Sequence, residues 1–167
     1  YVDFSGDYDY LEYAYPKAVK ALEFSRQLRR ERMTAEYKND PAKQAYYGII
    51  PLSNSHEGYY PAKHSYWHDF WVLRGFKDGL YLAKLMDDKE NAKWIEQEIT
   101  DFRKDLYASI DKVIEENNID YIPGCVELAY FDATSTAIGV MACGEENYLP
   151  QPYLDNTFNR YFNDFSR

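Results

Sequence analysis

The sequence predicts an all-α chain of about five helices, alternating between the outer and the inner layer of an α/α barrel. Three observations lead there. Apolar residues recur at helical spacing almost throughout, and no run alternates convincingly at period two. Helix-breaking residues gather in a long segment holding Pro41, Gly48, Pro51, Gly58 and Pro61, and in a shorter one holding Pro123-Gly124. Helices with one charged face take turns with helices poor in charge, the order expected when helical hairpins close into a two-layered ring.

The elements follow in chain order. A first helix is expected over Tyr8–Tyr37, striped by Leu11, Tyr15, Ala18, Leu22 and Leu28, with Pro16 marking a kink or a later start. A long loop over 39–65 leads to a second helix over Tyr66–Met86, striped by Phe70, Leu73, Phe76, Leu80 and Ala83. A turn at Asp87-Asp88 opens the third, Glu90–Glu116, whose stripe Ile95, Ile99, Phe102, Leu106, Ile110, Val113 is the cleanest; Asn117-Asn118 ends it. A second loop spans 119–131. Asp132 then suits an N-cap for a fourth helix over Ala133–Cys143, which carries no charge and so reads as buried all round. A fifth helix is expected over Leu154–Phe165. Loops 38–65 and 119–131 each join an outer helix to the next inner one, and in a ring loops of that parity emerge at the same end.

Composition narrows the partners. Nineteen Lys and Arg stand against 28 Asp and Glu, a net charge of −9, which repels nucleic acid. Arg26, Arg29, Arg30 and Arg32 cluster, but Glu23 and Glu31 lie among them, and the group reads as a solvated helix face. No apolar run approaches the roughly 20 residues needed to cross a bilayer, so no membrane partner is expected. Aromatics make up 18% of the chain, including 18 Tyr and 3 Trp. Their flat apolar faces and polar edges suit sugars, although most are expected to fill the core. Cys125 and Cys143 read as free thiols. The 167 residues suffice for one core, and both ends read as cuts from a longer chain. A periplasmic or extracellular setting is favoured over a cytoplasmic one.

The chemistry-bearing residues fall in the two loops. The first, with the start of the second helix, carries His56, Glu57, His64, Tyr66, Trp67, His68 and Asp69, with all three histidines of the chain; the second carries Glu127 and Tyr130 and leads into Asp132. A loop of such length inside a domain points to function. Metal binding has a basis in His64 and His68, four apart, with Asp69 and His56 to complete a set, but no HExxH motif is present and neither metal nor cofactor is expected. Glycoside hydrolysis needs two carboxylates, and Glu57 and Glu127 supply one from each loop. Binding without chemistry needs only stacking and hydrogen bonds. Each residue also has a structural reading. Glu57 and Glu127 could brace their own loops, Asp69 could answer a helix dipole, and one of Trp67 and Trp71 is expected in the core. Tyr66 could stack on a ligand or pack against loop two, and Arg74 is expected to pair with Asp78.

These segments resemble a known group. Ser55-His56-Glu57-Gly58-Tyr59, His64-Ser65-Tyr66-Trp67-His68-Asp69-Phe70 and Val126-Glu127-Leu128-Ala129-Tyr130-Phe131-Asp132-Ala133-Thr134-Ser135-Thr136 are similar to the six-hairpin glycosidase-like superfamily of (α/α)6 toroids. The likeness is to its glycogen-debranching-like and glucoamylase-like bacterial members. Three positions depart from that group's pattern. His68 stands where it has an acid, Ala129-Tyr130 where it has Gly-Asp, and Ala133 where it has Pro. The resemblance implies that this chain is a single segment, 1–167, of a twelve-helix toroid, whose remaining helices would be its packing partners.

The function expected on these grounds is hydrolysis of O-glycosidic bonds in an oligosaccharide or polysaccharide, with Glu127 and Glu57 as acid and base. His64, Tyr66, Trp67, His68, Asp69, His56 and Tyr130 would form the sugar-binding shell. The alternative is a non-catalytic sugar-binding or scaffold module, in which the missing acids mark lost chemistry.

Overall fold

The computed structural model describes residues 1–54 and 60–165. Among them the chain is all helical, with no strand. The helices are α1 Val2–Ser5, α2 Tyr8–Arg30, α3 Ala35–Asn39, α4 Tyr66–Leu85, α5 Lys89–Asn117, α6 Ala133–Ala137 and α7 Tyr153–Phe165. A 3-10 turn covers Gln44–Tyr46, and a π-helical turn, Ile138–Ala142, continues α6.

The central pair is the hairpin α4–α5. Asp88 caps α5 by accepting from the Asn91 N–H at 3.0 Å, and its other oxygen takes the Tyr15 hydroxyl at 3.0 Å, so one carboxylate starts α5 and anchors α2. α5 runs 29 residues, about 43 Å at 1.5 Å per residue. It ends where Asn118 takes a left-handed φ of 49°, which asparagine tolerates. All six stripe residues expected on α5 are buried. α4 is flanked by α2, by α5 and by α6 with its π turn, and α7 packs on α6. Two glycines permit the close crossings. A Cβ at Gly79 would lie 2.2 Å from a Leu22 methyl, and one at Gly139 would lie 3.0 Å from the Phe70 ring.

Four expectations change. The first helix stops at Arg30 rather than Tyr37, and the chain turns before α3. No Gly or Pro marks that stop. It coincides with a tertiary tie, the Arg29 Nε donating to the Gly48 carbonyl at 2.7 Å.

The second change concerns the arginines. Arg29 is fully buried and Arg26 half-buried, so the cluster is not a uniformly solvated face. Tyr15, Val19, Leu22, Arg26 and Arg29 form one stripe at spacings of three and four, turned toward α4 and α5. The two guanidiniums find Glu98 and Asp105 on α5. Arg29 bonds Glu98 and, at 2.8 Å, Asp105, while Arg26 meets Glu98 at 3.1 Å. Buried arginine demands such partners.

Third, the fourth helix is not buried all round. Met141 is 86% exposed and Thr134 faces solvent, because α4 and α7 cover only part of it. Nor does either neighbouring tryptophan enter the core: Trp71 is 40% exposed, and Trp67 is half-buried. Cys125 and Cys143 are both buried free thiols.

Candidate functional site

The two loops singled out in the sequence meet. Their backbones pair antiparallel at Ser65 and Cys125, with the Tyr66 N–H donating to Gly124 O at 3.1 Å and the Val126 N–H to His64 O at 3.0 Å. Loop two is folded on itself by a second bridge, Pro123 with Phe131, and by the Gly124 N–H donating to Tyr130 O at 3.0 Å. That turn requires Ala129 at φ 47°, a left-handed conformation unusual for a residue with a Cβ. The Tyr121 hydroxyl holds it by donating to the Ala129 carbonyl at 3.0 Å. Asp132 closes the loop as an N-cap, accepting from the Thr134 and Ser135 N–H groups.

This pairing brings Glu127 onto His64. The carboxylate accepts the His64 backbone N–H at 3.0 Å, and one oxygen lies 2.7 Å from ring Nδ1. Partial burial pushes the Glu127 carboxyl up. The His64 ring and backbone, the Glu127 N–H and the His64 charge outweigh that and hold it below the ordinary range. With an ionised acceptor at 2.7 Å, Nδ1 is the nitrogen that donates. The other ring nitrogen, Nε2, is buried and has no hydrogen-bond partner among the described residues. The Tyr46 ring meets the imidazole edge-on, centroids 4.7 Å apart.

His64 and Glu127 border a cleft of about 320 Å³, with Arg32, Tyr37, Lys43, Tyr46 and Leu52 as its other walls. A roomier cavity of about 430 Å³ lies between α1, α2 and α4, lined in part by Phe4, Tyr10, Arg74, Asp78 and Tyr81. There Arg74 is already bound to Asp78 at 2.9 Å, as expected, and to the Ala142 carbonyl at 2.7 Å. The smaller cleft is the better candidate, because it borders polar groups whose hydrogen bonding is incomplete.

The remaining site residues divide by depth. Tyr66 is fully buried, its hydroxyl 2.8 Å from Ser109 Oγ, so neither face of its ring meets solvent. Asp69 is fully buried too. One oxygen accepts the Ile50 N–H at 2.8 Å and the other has no partner among the described residues. Burial pushes its carboxyl up to about 8 against the pull of that N–H and of Arg29, so it is neutral at pH 7. His68 turns aside from the cleft, with Nδ1 2.8 Å from Ser53 Oγ, and Trp67 leans edge-on against it at 5.4 Å. Tyr130 is half-buried in loop two. Glu57 and His56 lie outside the described residues. Among the described residues no three His, Cys, Asp or Glu side chains gather as a metal site.

Arg32, Tyr37, Lys43 and Tyr46 were not singled out as site residues from the sequence. The signal for Tyr46 was present in the breaker-rich segment that holds it; Arg32 is placed by the unannounced turn after α2. No helix of the described residues is long and apolar enough to cross a membrane. No known family model matches the chain, and neither a curated protein nor a solved structure does.

Proposed function

We propose that this chain is part of an (α/α)6 toroid that cleaves O-glycosidic bonds, with the saccharide held where the two loops meet. The observation that carries the reading is the His64–Glu127 pair at the wall of an open cleft. A carboxylate held by a ring N–H and backbone N–H groups stays ionised through the neutral range. That is the form of a base and the wrong form for a general acid. The roles left open by the sequence therefore divide: Glu127 takes the proton of the attacking water, and Glu57 protonates the departing glycosidic oxygen. Tyr37 and Tyr46 offer aromatic faces to the sugar ring.

Two further points support the ring. α4 touches α2, α5 and α6, while α7 touches α6, the neighbour order of alternating layers. Ala129 occupies the left-handed position at which the six-hairpin pattern has glycine, a physical reason for glycine there. Against catalysis stand His68 and Tyr130, which replace acids of that pattern, and they favour a sugar-binding module as the second reading.

The test is Glu127→Gln and Glu57→Gln in the full-length protein, assayed on an oligosaccharide panel. Each is expected to lower kcat/KM by about 10²-fold or more. Turnover unchanged in both would sink the hydrolase. Saccharide binding by the wild type with no product released would leave the binding module.

A further inference from the structure

We infer that the saccharide taken by the cleft carries an anionic group, a carboxylate or a sulfate, seated on Arg32. This rests on the saccharide reading above. The cleft is lined by groups of both charges. Glu127 is ionised, so its oxygens accept hydrogen bonds and suit sugar hydroxyls. Arg32 lines the same cleft, and its guanidinium has no carboxylate partner among the described residues. Four other arginines have an acid: Arg26 has Glu98, Arg29 has Glu98 and Asp105, Arg74 has Asp78, and Arg103 has Glu145. Lys43, the second cation of the cleft, is already occupied by Glu36, with Asp40 3.8 Å away. Of the two cations of the cleft, Arg32 is the one without a described acid, and a guanidinium fork matches an anion that presents two oxygens side by side.

Tyr46, edge-on to His64, stands in the same cleft as both, so one ring could lie against it with hydroxyls toward Glu127 and its acidic substituent toward Arg32. The net charge of −9 repels a dense polyanion at long range. That confines the ligand to a saccharide with isolated anionic groups and excludes a heavily charged polymer.

The experiment is calorimetric titration of the full-length protein with three oligosaccharides matched in length: a neutral one, a hexuronate and a hexose sulfate. Wild-type protein is expected to bind at least one anionic member about tenfold or more tightly than the neutral one. Which of the two wins distinguishes carboxylate from sulfate. R32Q should bring the anionic and neutral affinities within about twofold while the neutral affinity holds, and R32K should keep part of the preference. If R32Q fails to fold, the wild-type comparison decides alone. Equal or better binding of the neutral sugar overturns the inference and leaves the saccharide reading standing. Binding of none of the three overturns both.

Discussion

Glu145 and Glu127 are both held below the ordinary carboxylate range, yet they are bonded in opposite ways. Glu145 is wholly buried. Its oxygens take Arg103 at 2.8 and 2.9 Å, the Tyr107 hydroxyl at 2.6 Å and the Lys77 ammonium, so it ties α4, α5 and the π turn together. Burial pushes that carboxyl up, and the bonds from Arg103, Lys77 and Tyr107 outweigh it. Glu127 lies at a cleft wall with His64 as its partner, and the far nitrogen of that partner has no hydrogen-bond partner among the described residues. Ionisation alone therefore does not separate a structural carboxylate from one available for chemistry. The saturation of its neighbours does.

The comparison is open to experiment. Glu145→Ala should be the most damaging change, costing about 3–5 kcal/mol in denaturant unfolding, because it strands Lys77 and Arg103 beside a buried hydroxyl. A loss of similar size in Glu127→Gln would break the contrast.

Asp69→Asn probes a third carboxyl, one kept neutral. Its proton is held up to about pH 8 in the folded chain and leaves near 4 when unfolded. Between those values the folded state carries more protons, so ionisation of Asp69 erodes stability as pH rises, by at most about 1.4 kcal/mol per pH unit. The asparagine variant should lose that slope, which unfolding at pH 5, 6 and 7 will read. A slope equal to the wild type would show that the carboxyl is solvated.

Ala129→Gly should relieve the left-handed backbone of loop two by about 1 kcal/mol, a rise of about 2–4 °C in Tm. A fall would mean that the loop turns by other means. The smallest effect is expected from Glu127→Gln, under about 1 kcal/mol of stability, as for a partly exposed pair.

Much of this was legible in the sequence for one physical reason. Apolar residues that must face a core repeat at the helical period, so α4, α5 and α7 could be placed within a residue or two. Cap chemistry supplied Asp132. Periodicity is blind to what fills a stripe, however. Arg26 and Arg29 continue the line of Tyr15, Val19 and Leu22, and only the acids of α5, roughly seventy residues on, make that placement affordable. It is equally blind to how tightly a turn is wound: α6 widens into a π turn where Gly139 lets the backbone approach Phe70.

At the candidate site, the meeting of the two loops and the polar candidates His64 and Glu127 were legible. The fates of Tyr66 and Asp69 were not. Both follow the regular period of α4 inward, and their polar groups are met by Ser109 and Ile50 from elements that no local pattern could bring near. The wall made by Arg32 depends on a helix stop with no breaker to announce it.

The short pairing of Ser65 with Cys125 has a consequence for the order in which the molecule assembles and opens. It joins segments about sixty positions apart, a costly closure for a free chain. The α4–α5 hairpin, built from nearer contacts, shortens that search by bringing both segments to one end. The cleft should therefore form late, and it can come apart while the hairpin stays intact. In native-state hydrogen exchange the amides of Tyr66 and Val126 would then exchange through a smaller opening than those of Phe102 or Leu106. The region that meets a ligand would be a separate cooperative unit, and a bound ligand would register there as slowed exchange before any change in global stability.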